Sequence, residues 1–193
     1  MSKNFWTSDT HFGHNNILKY CNRPFSNVYD HDETILDNIN SMVGVDDHLY
    51  HIGDFCMGNP ADYLDRIKCR NIHFVVGSHD KQMWRYKGRF VEFSEKIASV
   101  INGQLIVMTH CAHLVWEKSH YGSWHLFGHS HGKLGNSRDN FTDEYKAALS
   151  LLLSRMKALD VGVDTHNFLP YSEEELKEIM DGKEGFLVNR DER

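Results

Sequence analysis

The 193-residue sequence contains few of the features that mark secreted, membrane-bound or metal-ribbon proteins. No pair of its four cysteines (Cys21, Cys56, Cys69 and Cys111) has C-x-x-C spacing, which argues against a zinc ribbon and favours reduced thiols. No run approaches the ~18 apolar residues of a membrane span, and the amino terminus lacks the apolar stretch of a signal peptide. We therefore expect a cytoplasmic protein with no membrane partner.

Positive charge is also scarce. Lys and Arg total 21 against 27 Asp and Glu, so the net charge is −6 with neutral histidine. This balance disfavours a broad electrostatic grip on nucleic acid, although bound divalent cations would reverse the local sign. The length fits a single domain over residues 1–193. What is abundant is histidine, with 14 copies, and histidine is the commonest metal ligand in proteins.

Apolar spacing and turn residues predict alternating strands and helices in the first half and paired strands in the middle. Asn102-Gly103 lies between apolar runs at 91–101 and 104–108 and predicts a two-residue hairpin turn. Ser172 and Glu175 form a capping-box pattern that predicts a carboxy-terminal helix. The pattern predicts an α/β domain with a mixed sheet system. We predict strands at 4–8, 47–52, 72–76, 124–127 and 161–163, helices at 15–20, 32–43, from Pro60 and at 143–159, and an inserted loop and helix at 133–159.

Five clusters of potential ligands each follow one of these apolar runs. Such residues at the carboxyl ends of strands lie where α/β sheets place their active sites. Alternation along an extended segment puts Asp9 and His11 on one side, and likewise His129 and His131. The clusters are Asp9-Thr10-His11, Gly53-Asp54, Gly77-Ser78-His79-Asp80, Thr109-His110 and Gly128-His129-Ser130-His131.

This ordered set resembles the calcineurin-like metallophosphoesterase superfamily, whose pattern is D-x-H, G-D, G-N-H-[DE], H and G-H-x-H. The match spans positions 9–131, and the sequence is similar to the small phage and bacterial members of the superfamily. The resemblance implies a four-layer αββα sandwich of two mixed β-sheets flanked by helices. It also implies hydrolysis of a phosphoester by a hydroxide generated at two divalent metal ions. The substrate class stays open between monoester, diester, nucleotide and nucleic acid.

The resemblance also implies a role for each matching residue. Asp9, His11 and His131 would bind one metal, His110 and His129 would bind the second together with residue 78, and Asp54 would bridge both. His79 would be the general acid, and Asp80 would orient its imidazole. Ser78 stands where the family carries Asn, and its shorter side chain suggests a weaker second site. Carboxylate and imidazole ligands suit Mn, Fe, Zn or Ni equally.

Three further residues are candidates for substrate contact: His14, Arg23 and His113. Arg23 could clamp a phosphate, because guanidinium matches phosphate bidentately, or it could be a solvated loop residue. His51 is placed to support the sheet beneath the metals. Trp84, Trp116 and Trp124 are interpreted as core residues.

Two other functions fit parts of the pattern. Ser78 is compatible with a non-catalytic interaction module on the same fold. His31-Asp32 and His79-Asp80 suggest an HD-type phosphohydrolase, whose fold is all-helical.

Overall fold

Residues 2–134 and 142–185 are described by the computed structural model, and they form two β-sheets with helices around them. The strands are β1 (Asn4–Thr7), β2 (His48–His51), β3 (Asn71–Val75), β4 (Glu92–Ser94), β5 (Lys96–Ile101), β6 (Gln104–Thr109), β7 (Trp124–Phe127), β8 (Ala158–Asp160) and β9 (Tyr171–Ser172). The α-helices are α1 (Ile17–Tyr20), α2 (Val28–Met42), α3 (Ala61–Leu64), α4 (Asp143–Arg155) and α5 (Glu173–Asp181). Short 3₁₀ helices cover Asp80–Arg89, Ser119–Tyr121 and Val163–Thr165.

Both sheets are mixed, which confirms the predicted fold class. The five-stranded sheet has the order β4-β3-β2-β1-β9, with only β9 antiparallel to its neighbour. The four-stranded sheet has the order β5-β6-β7-β8, with only β5 antiparallel to its neighbour. The parallel strands β1, β2 and β3 therefore end at one edge, and β6 and β7 end together in the other sheet.

Alternate residues along the strands build separate apolar layers. Trp6 and Tyr50 face the second sheet and pack in one cluster with Ile106 and Leu126. Helix α5 contributes Leu176 and Met180 to this inter-sheet cluster. On the outer face of the first sheet, Phe5, Leu49 and Phe74 pack with Ile35, Leu36 and Ile39 of α2. Spacing of three and four residues places those α2 side chains on one helix face.

The structure corrects two predicted elements. The run 91–101 is two strands in two different sheets, because β4 pairs with β3 whereas β5 pairs with β6. The predicted last strand at 161–163 is wrong. Its place is taken by β8, which pairs with β7, and Val163 begins a 3₁₀ turn. The preceding helix ends at Arg155, not at 159, because the backbone becomes extended at Met156.

The three tryptophans interpreted as core residues differ in their exposure to solvent. Trp116 and Trp124 are buried, as predicted, but Trp84 is 48% exposed. Its ring contacts Phe93 edge-on, with centroids 5.0 Å apart. The apolar character of Trp84 suggested a core position, but the 3₁₀ helix that carries it turns Met83 inward instead.

The predicted insertion at 133–159 falls partly outside the described residues, which exclude 135–141. Within it, α4 has no fully buried side chain. Across the described ranges, no helix is long and apolar enough to cross a membrane.

Candidate metal centre

The turns that follow the parallel strands have an unusual backbone. Five potential ligands have left-handed φ angles: Asp9 (58°), His11 (49°), Asp54 (54°), His129 (68°) and His131 (49°). Each such non-glycine residue costs on the order of 1–3 kcal/mol, and strain of this kind concentrates at functional sites. Five of them around one point therefore indicate a functional centre.

The glycines in these turns are required by close approach of neighbouring loops. A Cβ atom on Gly128 would lie 2.0 Å from Ser8 Oγ and 2.3 Å from Asp9 Oδ2. A Cβ atom on Gly77 would lie 2.3 Å from the backbone nitrogen of Asp54. Neither glycine has a positive φ. Their role is therefore to let the turns come together.

Potential ligand atoms converge in three groups: Asp9 with His11 and His131, Asp54 with His110 and His129, and Cys21 with Asp164 and the same His131. Within each group the three ligand atoms lie within 4.8 Å of one another. Asp54 lies between the first two groups: its Oδ2 atom is 3.6 Å from Nε2 of His11 and 3.3 Å from Nε2 of His110. The backbone nitrogen of His129 donates to both carboxylate oxygens of Asp9, at 2.9 and 3.1 Å.

Two buried ring nitrogens indicate that cations fit this centre. Nε2 of His11 and Nε2 of His110 are buried and have no hydrogen-bond partner among the described residues. Nδ1 of His110 lies 2.9 Å from the carbonyl oxygen of Ile52, which can only accept, so in the neutral ring Nδ1 carries the proton and Nε2 the lone pair. Buried polar atoms without partners are costly. The carboxylate and imidazole donors therefore fit divalent cations of the borderline class.

The pKa values of these groups are displaced in opposite directions. Burial raises the pKa of Asp9 to about 7 and lowers the pKa of His11 to about 2. For His110, burial is outweighed by the neighbouring carboxylate of Asp54, which raises its pKa to about 9. Displaced pKa values of this size cluster at functional sites. Metal binding at such groups requires the neutral imidazole, so binding releases protons.

A cavity of about 500 Å³ opens on the first two ligand groups. His11, Asp54, His129 and His131 line it on the side of the ligand groups, and His79 and His14 also line it. Nδ1 of His14 is 3.4 Å from Nδ1 of His11. The remaining wall is largely apolar, with Ile17, Tyr20, Met57 and Leu134, and it includes Cys21, Ser130 and Lys133.

Comparison with known proteins places the chain in a family. No family model matches the sequence. It is 32% identical over 176 residues to the uncharacterized protein MJ1445 of Methanocaldococcus jannaschii, covering 89% of this chain and 88% of that protein. The chain belongs to the MJ1445 family.

A solved structure shares the fold of this MJ1445 family member. The crystal structure of AQ665, a protein of unknown function from Aquifex aeolicus, has a TM-score of 0.69 and 21% identity, covering 93% of this chain and 100% of that one. The E. coli phosphoesterase Yfce has a TM-score of 0.39 and 18% identity over 67% of this chain and 70% of its own. The likeness to AQ665 establishes the fold, and activity has to be inferred from the site.

In this MJ1445 family member Asp80 has a different role from the one expected. Its Oδ2 accepts from the backbone nitrogens of Asp54 and Gly77, both at 2.7 Å, and its Oδ1 accepts from Phe55 at 2.9 Å. The buried carboxylate thus ties the Asp54 turn to the Gly77 turn. The expectation that it orients the imidazole of His79 is wrong, because Asp80 points into the protein while His79 is exposed.

Arg23 does not face substrate, and both interpretations of it from the sequence are wrong. Its guanidinium is buried and donates to both carboxylate oxygens of Asp164, at 2.8 and 2.7 Å. It also donates to the carbonyl oxygens of Asp9 (2.8 Å) and Thr10 (3.2 Å) and to Nε2 of His31 (2.7 Å). These bonds leave no free edge for a phosphate.

Asp164 is a residue of the site that sequence reasoning missed. Its Oδ2 accepts from Nδ1 of His131 at 2.7 Å, which directs Nε2 of His131 toward Asp9. Ligand histidines commonly hold such a carboxylate on the other ring nitrogen. The available signal was an acidic residue just after a short apolar run, Val161-Gly162-Val163.

Three other predicted residues have different outcomes. His113 is exposed, stacks on His125 and does not line the cavity, and its contact with substrate stays a prediction. Ser78 is exposed and also absent from that wall. His51 is buried beneath the site with its Nε2 atom 3.0 Å from Thr10 Oγ1, as expected for a supporting residue.

Proposed function

We propose that this protein hydrolyses phosphoesters with the help of two divalent cations. The observation that carries the proposal is Asp54 Oδ2, which lies within 3.6 Å of an unpartnered imidazole nitrogen from each of the first two ligand groups. A carboxylate in that position can serve two cations at once. When bound, a pair of cations activates water and stabilises the attacking and leaving oxygens of a phosphoryl group.

The residues that would hold the cations divide into two sets. Asp9, His11 and His131 form the first, and His110 and His129 form the second, with Asp54 shared. Arg23 and Asp164 hold the first set in place, since they fix the Asp9 backbone and the His131 ring. Four imidazoles with two carboxylates favour Mn, Fe, Zn or Ni over Ca or Mg, which prefer oxygen ligands.

His79 is the proposed general acid. It is exposed at the cavity, and its backbone nitrogen donates to Asp54 Oδ1 at 2.9 Å, which fixes its turn beside the shared carboxylate. A protonated imidazole there could donate to the leaving oxygen as the ester bond breaks. The cavity wall beyond it, with His14, Lys133 and the apolar side chains, would accommodate the ester group.

The two β-sheets exclude one of the two alternative functions. An HD-type phosphohydrolase is wrong, because that fold is all-helical and this chain has two β-sheets. The other alternative is a non-catalytic interaction module on the same fold, and the experiment below distinguishes it from a hydrolase.

Metal content and turnover of the same samples test the proposal. Chelator-treated protein is titrated with Mn²⁺ or Zn²⁺ and assayed with p-nitrophenyl phosphate and bis(p-nitrophenyl) phosphate. We expect about two cations per chain, turnover of at least one ester, and loss of turnover in Asp54→Asn. His120→Gln, an exposed histidine outside the site, is the matched control. Cation binding without turnover would contradict the proposed hydrolysis and favour the interaction module. Turnover that survives Asp54→Asn would overturn the proposal.

A leaving-group comparison tests His79 separately. His79→Gln should slow hydrolysis of alkyl esters by about 100-fold or more, because general acid catalysis contributes on that order. It should slow p-nitrophenyl esters much less, since p-nitrophenolate leaves without a proton. Equal losses for both ester types would contradict the role.

Ser78 allows a prediction about the second cation. We expect Ser78→Asn to tighten the weaker of two binding steps, because the amide oxygen extends further than the hydroxyl. Calorimetric titration of wild type and variant with Mn²⁺ measures both steps. Equal affinities in the two proteins would contradict the prediction.

A further inference from the structure

The 3₁₀ helix Asp80–Arg89 begins immediately after His79 and has two distinct faces. A 3₁₀ helix has three residues per turn, so residues three apart lie on the same face. Asp80 and Met83 are buried and Tyr86 is half-buried, which defines the inner face. The outer face consists of Lys81, Trp84 and Lys87, all three exposed, and the exposed Arg85 lies on the adjoining row of the helix.

Trp84 is held on this outer face by an edge contact. Its ring meets Phe93 of β4 at an interplanar angle of 79°, with centroids 5.0 Å apart. Nearly half of the residue is exposed. An aromatic ring fixed at its edge can offer its face to a ligand.

The cations around Trp84 are not engaged elsewhere. Lys81, Arg85 and Lys87 form no ion pair with any described residue, whereas Arg89 pairs with Asp65 at 2.7 Å. The sequence has no acidic residue between Asp80 and Glu92. In a chain of net charge −6 this helix is therefore a local cationic surface.

We propose that Lys81, Trp84, Arg85 and Lys87 form a surface that binds single-stranded nucleic acid and delivers it to the metal centre. The idea rests on the proposed function and names its substrate class. Cations that follow a backbone, together with an aromatic ring on which a base stacks, are the recurring elements of single-strand binding. Stacking on one exposed ring requires an unpaired base, which favours a single strand over a duplex.

The surface lies a short distance along the helix from the cavity-lining residue His79. At about 2.0 Å per residue, Trp84 lies roughly 10 Å along the helix from His79. A strand stacked on Trp84 would thus reach the cavity within a few nucleotides. Hydrolysis there adds one water across a P–O bond, leaving a phosphomonoester on one fragment and a hydroxyl group on the other.

Binding is measured apart from cleavage, on the full chain in EDTA, by the fluorescence anisotropy of a labelled dT 12-mer. Trp84→Ala should weaken binding about ten-fold, which corresponds to the stacking of one base. Tyr29→Ala, which removes a 68% exposed ring from α2, is the matched control and should leave binding unchanged.

The salt dependence tests the cations. Each contact with a single strand contributes about −0.7 to the slope of log K against log salt. Lys81→Gln and Lys87→Gln should each reduce the slope by about that amount, whereas the exposed control Lys68→Gln should not. Unchanged binding in Trp84→Ala, unchanged slopes in the lysine variants, or equal competition by polyglutamate would each overturn the inference.

Wild-type hydrolysis of bis(p-nitrophenyl) phosphate separates the two proposals. Turnover of this small ester without binding of the dT 12-mer overturns the nucleic acid surface alone. Binding of the 12-mer as predicted, without turnover of any ester, supports the surface and overturns the proposed hydrolysis.

Discussion

The guanidinium of Arg23 links two segments that carry potential ligands. It bonds the carbonyl oxygens of Asp9 and Thr10, and through Asp164 it reaches the ring of His131. The hydrogen bond and charge of Arg23 and His131 outweigh burial and lower the pKa of Asp164 to about 2. A buried cation with every partner in place therefore holds the strained Asp9 turn.

Removing Arg23 should destabilise the fold. We expect Arg23→Leu to reduce the free energy of unfolding by about 3–5 kcal/mol, because it removes both guanidinium bonds of the buried Asp164 carboxylate, which keeps only the His131 ring, and the donors to the Asp9 and Thr10 carbonyl oxygens. Urea denaturation of the metal-free protein measures the loss. Arg66→Leu is the matched control: its pair with Glu33 is exposed and should contribute at most about 1 kcal/mol. Equal losses at the two arginines would contradict this account.

Gly128 gives a second prediction for a single residue. In Gly128→Ala the new Cβ would overlap Ser8 Oγ and Asp9 Oδ2. Overpacking of this kind costs about 1–3 kcal/mol, and the displaced Asp9 should bind cations more weakly. Gly88→Ala is the control, because its Cβ would meet nothing within 4 Å. Denaturation and Mn²⁺ titration of both variants provide the measurement, and similar behaviour of the two would contradict the prediction.

The residues of this site differ in how well the sequence predicts them. Asp9, Asp54 and His110 each follow an apolar run, so strand ends alone place them at the carboxyl ends of strands in the two sheets. Arg23 and Asp164 are 141 positions apart, and no local pattern reports their contact. That contact depends on β8 and the turn after it. The strand was predicted at 161–163, whereas β8 lies at Ala158–Asp160.

At the scale of elements, local sequence predicts turns better than it predicts which strands pair with each other. Asn102 and Gly103 have φ angles of 47° and 84°, as the predicted hairpin turn requires. The division of 91–101 between two sheets was not predicted, because it depends on Phe74 pairing with Phe93 and on Met108 pairing with Ile97. Apolar periodicity does not report which strand is adjacent.

The capping box of α5 gives a prediction for an element. Ser172 Oγ accepts from the Glu175 backbone nitrogen at 3.3 Å, and Glu175 accepts from the Ser172 backbone nitrogen at 2.8 Å. Ser172→Ala should reduce the free energy of unfolding by about 1 kcal/mol, since α5 packs Leu176 and Met180 between the sheets. Ser154→Ala in the exposed α4 is the control. Thermal denaturation compares the two, and equal melting temperatures would contradict the prediction.

For the whole molecule, much of the histidine excess lies in the buried layers and not at the metal centre. Burial lowers the pKa of His51 to about 3 and of His73 and His125 to about 4. His125 donates from Nδ1 to the Val107 carbonyl oxygen and accepts at Nε2 from the His113 backbone nitrogen. Both ring nitrogens are satisfied only in the neutral form, so a second proton would break one bond.

These buried histidines should make the fold sensitive to acid. The folded pKa of His125 is about 4 and its ordinary value is 6.5, so between these pH values the unfolded chain takes up a proton that the folded chain does not. Stability is therefore greatest above pH 6.5 and falls as the pH decreases. Between pH 7 and pH 5, His125 alone should cost about 2 kcal/mol.

A pair of variants isolates that contribution from the other titrating groups. Urea denaturation at pH 7 and pH 5 should show that wild type loses about 2 kcal/mol more than His125→Gln over this interval. Asp9, Asp54 and the other acidic residues titrate equally in both proteins, so their effects cancel when the two losses of stability are subtracted. His120→Gln, with its exposed ring, should keep the wild-type dependence. If His125→Gln loses as much stability as wild type between the two pH values, burial of the neutral imidazole does not set the acid limit of the fold.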